Sequence, residues 1–325
     1  MIDVDQVQAN KTSLLNVCFI GKGSHACRIK NMLSNINIDF NFIDHDRSLD
    51  INQQFDVINA DIIFITSPNN THIHYLKQLV KGYEGYVYCE KPPINKFEDL
   101  EIFELINPSK FFFGFNYRYS EIQKFIFQIK EIHDIGDLIN INIHMSYPFS
   151  VKDSYKHSWK SDANKSLTGV IENLGIHYLD LSVNLLGGIK EVFINSTNIN
   201  NTGTAEDTAS LSLIHKNDST AQIFVSYATL ARESMYFSFE RAGIEYNGIE
   251  LNAYYPRESY NYEGLSVTPP IVLTKSINGE LLQSKSLKNC IDYFINTVLR
   301  GESFEHDLLK KSRITTLAMF GEVEN

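Results

Sequence analysis

Residues 14–26 have the sequence Leu14-Leu15-Asn16-Val17-Cys18-Phe19-Ile20-Gly21-Lys22-Gly23-Ser24-His25-Ala26, in which an apolar run leads directly into a glycine-rich turn. The apolar run predicts a buried strand, and the residues after the turn predict a helix. In a G-x-G-x-x-A turn, Gly21 permits the tight bend, Gly23 lets a pyrophosphate approach the backbone, and Ala26 allows the helix to pack closely on the strand. The pattern therefore predicts a dinucleotide-binding turn. The alternative is a tight turn in an α/β domain that binds no nucleotide.

Further apolar runs alternate with helical stretches at residues 38–43, 60–66, 86–91 and 110–115. This alternation predicts a doubly wound parallel sheet, so we expect an N-terminal Rossmann domain over residues 1–120. After residue 120 the runs alternate between apolar and polar residues, which predicts an open, mostly antiparallel sheet. We therefore expect an α/β fold in which residues 121–325 form a second α/β domain, whose C-terminal helices can pack back on the first.

The composition is that of an ordinary globular protein, with 325 residues, 43% of them hydrophobic, and 39 acidic against 29 basic residues. A net charge of -10 disfavours a nucleic-acid partner, because phosphate binding needs a basic surface. No apolar run is long enough to span a membrane, and the polar, acidic first residues are not a signal peptide. The four scattered cysteines predict neither a metal site nor a disulfide framework. We expect a cytoplasmic protein without membrane or nucleic-acid partners.

The second predicted strand ends at Asp44, close to the interval of roughly twenty residues at which an acid meets the adenosine ribose. A carboxylate there repels a 2′-phosphate, so the sequence favours NAD over NADP. Arg47, three residues later, could soften that preference. The alternative for Asp44 is a simple turn acid at the end of a strand.

The fourth predicted strand ends in Glu90-Lys91-Pro92-Pro93. Pro92 restricts Lys91 to an extended conformation, so a charged side chain is held at the end of a strand. Ligands of open α/β sheets bind at the carboxyl ends of the strands, which makes Lys91 a candidate functional residue. The alternative is a surface turn that happens to contain a lysine.

A third polar group lies in a predicted helix over residues 173–186. Asn173, His177 and Asp180 or Asn184 recur at intervals of three and four residues and so share one face of that helix. They can present several polar groups to one pocket, whereas the alternative for His177 is a core histidine with a local hydrogen bond. Trp159 lies upstream and is either a platform for stacking a sugar or a buried anchor.

Taken together, these motifs resemble the Gfo/Idh/MocA oxidoreductases, the family of glucose–fructose oxidoreductase and inositol dehydrogenase. The resemblance spans nearly the whole chain and is carried by the glycine turn at 21–26, Ser67-Pro68-Asn69-Asn70-Thr71-His72, Glu90-Lys91-Pro92, Asn116-Tyr117-Arg118, Gly175-x-His177-x-x-Asp180 and Glu206-Asp207-Thr208.

The resemblance implies an NAD(H)-dependent enzyme that moves a hydride between nicotinamide and a secondary alcohol or ketone of a sugar or nucleotide-sugar. It implies that Lys91 is the catalytic lysine and His177 the second acid/base candidate. The family usually has an acid where this chain has Asn173, and an amide can orient a hydroxyl but cannot accept its proton. The family's second domain often forms a subunit interface, so we expect a homodimer or homotetramer through the C-terminal sheet.

From the motifs and the resemblance we predict three sets of site residues. The catalytic residues are Lys91, His177 and Asn173. The cofactor-binding residues are Gly21, Gly23, Ser24, His25, Ala26, Asp44, Ser67, Asn69, His72, Glu90 and Lys91. The substrate-binding residues are Tyr117, Arg118, Trp159, Asn173 and His177.

Two other functions remain open at this point. Some proteins of this fold bind a dinucleotide and a partner without catalysis, and the amide at Asn173 motivates that alternative. Retention of both Lys91 and His177 argues against it. The second alternative is a glycosidase that uses transient oxidation by a bound NAD.

Overall fold

The computed structural model describes residues 14–36, 38–46 and 48–324. Arg47 and the polar first residues, which entered the expectations above, lie outside this part of the chain. The described residues form two sheets with helices, one sheet of five strands and one of eight.

The first sheet is parallel, and its strands lie in the order β2-β1-β3-β4-β5. The strands are β1 (Leu15–Ile20), β2 (Phe40–Asp44), β3 (Ile62–Ile65), β4 (Tyr86–Cys89) and β5 (Phe111–Phe113). The helices between them are α1 (Ser24–Ser34), α2 (Phe55–Ile58), α3 (His72–Leu79) and α4 (Ile102–Leu105). The chain direction across the sheet reverses between β1 and β3, which is where ligands bind in folds of this kind.

The second sheet is mixed and mostly antiparallel, in the order β13-β12-β11-β10-β6-β9-β8-β7. Its strands are β6 (Leu138–Ser146), β7 (Ile189–Thr197), β8 (Thr208–His215), β9 (Thr220–Ser226), β10 (Arg232–Phe239), β11 (Gly243–Tyr246), β12 (Glu250–Tyr254) and β13 (Ile271–Ser276). One pair, β6 with β9, is parallel. The alternating burial along β8 and β9 shows that one face packs on the core while the other is more open.

The remaining helices precede, interrupt or follow the strands of the second sheet along the chain. They are α5 (Glu121–Ile132), α6 (Asp153–Lys156), α7 (Ile176–Leu186), α8 (Gly279–Leu299) and α9 (His306–Met319). Although α8 follows the second sheet in the chain, it packs on the first: Phe294 and Ile291 lie in one apolar cluster with Phe64 and Tyr88. The C-terminal part of the chain therefore completes the core of the N-terminal sheet.

The fold class predicted from the sequence is confirmed, and all five predicted strands of the first sheet are present. Two strands of the second sheet, β11 and β13, were not predicted. Strand β13 lies at the edge of the sheet, and its side chains are largely exposed. It therefore lacks the alternation of apolar and polar residues by which a strand is recognised in a sequence. Between β4 and β5, the helical stretch expected from the alternation consists only of the 3₁₀ turn Phe97–Asp99 followed by the short α4.

No helix among the described residues is long and apolar enough to cross a membrane.

Candidate functional site

A cleft of about 710 Å³ opens at the carboxyl edge of the first sheet, where it meets the second domain. On the side of the glycine turn it is lined by the predicted residues Gly21, Gly23, Ser24, His25, Ser67 and Asn69. It is also lined by the predicted residues Glu90, Lys91 and Tyr117, which follow strands of the first sheet, and by Trp159, Asn173 and His177 of the second domain. Twelve of the predicted site residues, from both halves of the chain, therefore meet in one cavity.

The glycine turn has the shape that a dinucleotide needs. Gly21 has φ +126°, and a Cβ on it would lie 2.7 Å from the Thr66 carbonyl carbon, so only glycine fits against β3. A Cβ on Gly23 would meet no atom within 4 Å, which leaves its backbone open to the cleft. Helix α1 begins directly after Gly23 without a side-chain cap, so its first N–H groups are free to bind an anion. Ala26 is buried against the sheet, in the packing role expected for it.

Glu90 connects the end of β4 to the glycine turn. Its Oε1 lies 2.5 Å from His25 Nε2 and accepts a hydrogen bond from the Tyr88 hydroxyl at 3.0 Å. Arg28 donates to His25 Nδ1, which leaves His25 Nε2 as the atom that donates to Glu90. Burial alone would raise the pKa of Glu90, but the electrostatic interaction and hydrogen bond with His25, together with the charge of Lys91, hold it below its usual value.

Lys91 precedes a cis peptide bond to Pro92, and its Nζ donates a 2.7 Å hydrogen bond to the backbone oxygen of Asn173. This bond fixes the amine between the end of β4 and the second domain. Burial, with a contribution from the nearby positive charge of Lys160, lowers the pKa of Lys91 to about 8, although the charges of Glu90 and Glu172 oppose the change. A lysine with that pKa can exchange a proton near neutral pH.

The polar residues before α7 are shaped by the π-helical turn Ile171–Gly175, of which residues 173–175 were predicted as ordinary helix. Turns of this type insert one extra residue and are frequent at functional sites. The side-chain amide of Asn173 donates to Ser166 Oγ at 2.8 Å and to the Gly169 carbonyl at 3.0 Å. The amide nitrogen is thus held by the protein while the residue itself lines the cleft.

His177 also lines the cleft, and its ring lies 5.4 Å from the ring of Tyr117. Burial, reinforced by the charges of Lys91, His25 and Lys160, lowers its pKa well below the usual value. Its buried Nδ1 has no hydrogen-bond partner among the described residues. His177 is therefore a neutral imidazole at ordinary pH, which makes it a weaker base than the role of second acid/base candidate requires.

Glu172 is a buried carboxylate that the sequence patterns did not assign to the site. It is fully buried, and it accepts hydrogen bonds from Asn69 Nδ2 at 3.3 Å and from the Thr168 backbone N–H at 3.4 Å. Burial raises its pKa, while these hydrogen bonds and the charge of Lys91 oppose the change. Glu172 therefore couples the cofactor side of the cleft, through Asn69, to Lys91.

Arg118 is placed outside the cleft, which does not support its predicted role in substrate binding. Its side chain is 4% exposed, and its guanidinium donates to Asp180 and to the Leu308 carbonyl. Asp180, expected on the face of His177, is 1% exposed and also accepts from Thr315 of α9. The sequence did contain a signal for this ion pair, namely an aspartate on the apolar helix α7. A carboxylate buried there needs a cationic or hydrogen-bonding partner.

His72 is likewise buried rather than facing the cleft. Its ring nitrogens lie 2.8 Å from the carbonyl oxygens of Pro92 and Ser67, so it braces the two loops that border the cleft. Asp44 is exposed at the end of β2 and forms ion pairs of 3.3 Å with Lys22 and Lys30. Burial raises the pKa of Asp44, but the hydrogen bonds from both lysines outweigh this effect, and the pKa is lowered.

Comparison with known proteins finds matches to parts of the chain. Residues 128–245 match the family model of the GFO/IDH/MocA C-terminal domain. The chain is 28% identical over 126 residues to glucose-6-phosphate 3-dehydrogenase of Bacillus subtilis, a match that covers 37% of this chain and 35% of that protein. It is 27% identical over 157 residues to D-apiose dehydrogenase of Paraburkholderia graminis, covering 46% of this chain and 40% of that protein. Each match thus spans less than half of the relative's length.

The whole described fold also resembles that of solved structures. Levoglucosan dehydrogenase in complex with NADH superposes with a TM-score of 0.75 at 13% sequence identity, covering 95% of this chain and 96% of that one. At this identity the likeness concerns the fold alone. The match of residues 128–245 to the family's C-terminal domain agrees with the resemblance to the Gfo/Idh/MocA oxidoreductases that the motifs at 21–26, 90–92 and 175–180 carry.

Proposed function

We propose that the protein is an NAD(H)-dependent oxidoreductase that moves a hydride between nicotinamide and a secondary alcohol or ketone of a sugar or nucleotide-sugar. The observation that carries this proposal is the position of Lys91, a desolvated lysine with a pKa lowered to about 8, in the same cleft as the glycine turn. A purely binding protein has no need of such a group. Two relatives named as sugar dehydrogenases support the substrate class.

The residues of the glycine turn fit a dinucleotide. The open space at Gly23 and the uncapped start of α1 suit a pyrophosphate, and Asp44 at the end of β2 suits the adenosine ribose. A carboxylate at that position favours NAD over NADP. Nicotinamide would supply the hydride chemistry, which leaves the protein to orient the sugar and to move one proton.

In this mechanism Lys91 takes the hydroxyl proton during oxidation and returns it during reduction. The carbonyl of Asn173 holds the lysine Nζ in place. His177 stays neutral and orients the sugar by hydrogen bonding, because its lowered pKa makes it a weak base. Asn173 cannot accept the proton either, so the amide that replaces the family's usual acid leaves Lys91 as the acid/base.

The test is a screen for NAD reduction with the purified protein. Free sugars and nucleotide-sugars are compared, with glycosides as the control and both NAD and NADP as cofactors. We expect NADH to form with at least one free sugar or nucleotide-sugar. Release of a sugar from glycosides without net NADH would indicate a redox glycosidase instead, and dinucleotide binding without turnover of any compound would indicate a regulator.

We also propose that two copies of the chain associate through the open face of the second sheet. This face carries a broad depression lined by His144, Phe224 and Tyr236 on the central strands β6, β9 and β10. The family resemblance and the 40% exposure of Tyr236, a large aromatic side chain in mid-sheet, support a second copy as the occupant.

A further inference from the structure

We propose that the substrate carries a negatively charged group, a phosphate or a carboxylate, which Lys160 binds at the second-domain side of the cleft. This inference rests on the proposed function and narrows its substrate class.

Lys160 lies in the short 3₁₀ turn Trp159–Ser161 and lines the cleft. Its Nζ is 5.8 Å from the ring centroids of both Trp159 and Phe149, so aromatic faces surround the ammonium group. Among the described residues no carboxylate lies within ion-pairing distance of it, whereas the neighbouring Lys165 pairs with Asp162 at 3.2 Å. A desolvated ammonium without an anionic partner is costly unless a ligand supplies one.

The charges around Lys160 point the same way. Lys160 lies close enough to Lys91 for its positive charge to lower the pKa of that lysine. Glu90, a carboxylate at the end of β4 that lines the cleft, is already bonded to His25. Oxidised nicotinamide would add a further positive charge to this region. An anionic group on the substrate would therefore neutralise a part of the cleft in which cations are in excess.

The geometry also separates the two ends of the substrate. Lys91 marks the reacting hydroxyl, because it is the group that exchanges the proton. Lys160 belongs to the second domain and marks a different atom of the same molecule. Binding of the anionic group to Lys160 thus orients the sugar ring, and oxidation takes place at a different carbon. Sugar phosphates, uronic acids and nucleotide-sugars all carry such an anionic group.

The experiment compares each neutral sugar with its charged counterparts. Glucose, galactose and mannose are tested beside their 6-phosphates, their uronates and the corresponding nucleotide-sugars. Turnover is followed as NADH formation, and binding to the complex with NADH is followed by titration calorimetry. The variants are Lys160→Met, which keeps the length and apolar packing of the side chain, and Lys160→Arg, which keeps the charge. Lys156→Met, an exposed lysine of the same segment, is the matched control.

We expect one charged class to exceed its neutral parent in kcat/KM, and in affinity for the NADH complex, by about tenfold or more, as for a charge-assisted hydrogen bond. Lys160→Met should abolish that preference, measured as the ratio of charged to neutral sugar, because the loss of its charge acts on Lys91 in the same way with both sugars. Lys160→Arg should retain most of it, and Lys156→Met should retain all of it. The class that responds identifies the source of the charge as phosphate ester, carboxylate or diphosphate.

The proposal is overturned if no charged sugar binds more tightly than its neutral parent, or if Lys160→Met keeps the preference. These outcomes are separate from failure of the proposed function. Absence of NAD reduction with every sugar would refute the dehydrogenase assignment, while the binding comparison would still decide whether Lys160 holds an anion.

Discussion

Replacement of Lys91 by alanine tests the central step of the mechanism. At the usual lysine pKa of 10.5, about one molecule in 3,000 carries a neutral amine at pH 7, whereas at about 8 the fraction is about one in ten. The burial of Lys91 thus increases the population of the proton-accepting form by roughly 300-fold. Since a positioned general base contributes about 10²- to 10⁴-fold, Lys91→Ala should lower kcat for sugar oxidation by that factor.

The pH dependence gives the assay a second readout. Because the neutral amine is the base, kcat/KM for oxidation should rise about tenfold per pH unit below about 8 and level off above it. Lys91→Ala should remove this dependence from its residual activity. Binding of NAD, measured by titration calorimetry, should change by less than about threefold, because the alanine leaves the glycine turn intact.

Lys96→Ala is the control, since Lys96 is an exposed lysine five residues further along the same loop. It should behave as the wild type in every assay. Lys91→Ala retaining wild-type kcat, or retaining the same pH profile at reduced kcat, would refute the assignment of Lys91 as the proton acceptor. The proton would then have to be transferred by another group.

Three further predictions concern the surroundings of this residue. Glu172→Gln removes a carboxylate that raises the pKa of Lys91, so the pH profile for oxidation should move to lower pH, and an unmoved profile would contradict the coupling. Arg118→Met leaves Asp180 as an uncompensated buried charge and should lower the free energy of unfolding in urea by about 3–5 kcal/mol, a loss that Asp180→Leu in the same chain should partly restore. Light scattering should show at least a dimer, and Tyr236→Glu should shift it toward the monomer, whereas an unchanged mass would argue against the sheet face as the contact.

The cofactor side of the site could be predicted because its information is local. The strand, turn and helix of residues 14–34 are consecutive, and the conformational demands on Gly21 and Gly23 follow from that sequence alone. The position of Lys91 directly after β4 was predictable for the same reason, because it depends only on the strand and on the proline that follows.

The part of the site in the second domain depends on contacts between residues that are far apart in the sequence. Arg118 is followed 62 residues later by its partner Asp180, and the hydrogen-bond partners Ser312 and Thr315 lie on the last helix. Spacing on α7 placed Asp180 with His177, but the π-helical turn before it and the packing of α9 decide which face each residue presents. Tertiary contacts thus determined the roles that helical periodicity left ambiguous.

The packing of α8 on the first sheet has a consequence for the order in which the chain can mature. One face of that sheet, with Phe19 and Phe64, is covered by α1 and α8 together, and α8 begins only at Gly279. During synthesis the N-terminal strands leave the ribosome long before that helix does. The apolar face of the nascent N-terminal sheet therefore stays uncovered until residues 279–299 have been translated. Apolar surface that is exposed during synthesis favours aggregation, so burial of this face of the N-terminal sheet depends on residues from the C-terminal part of the chain.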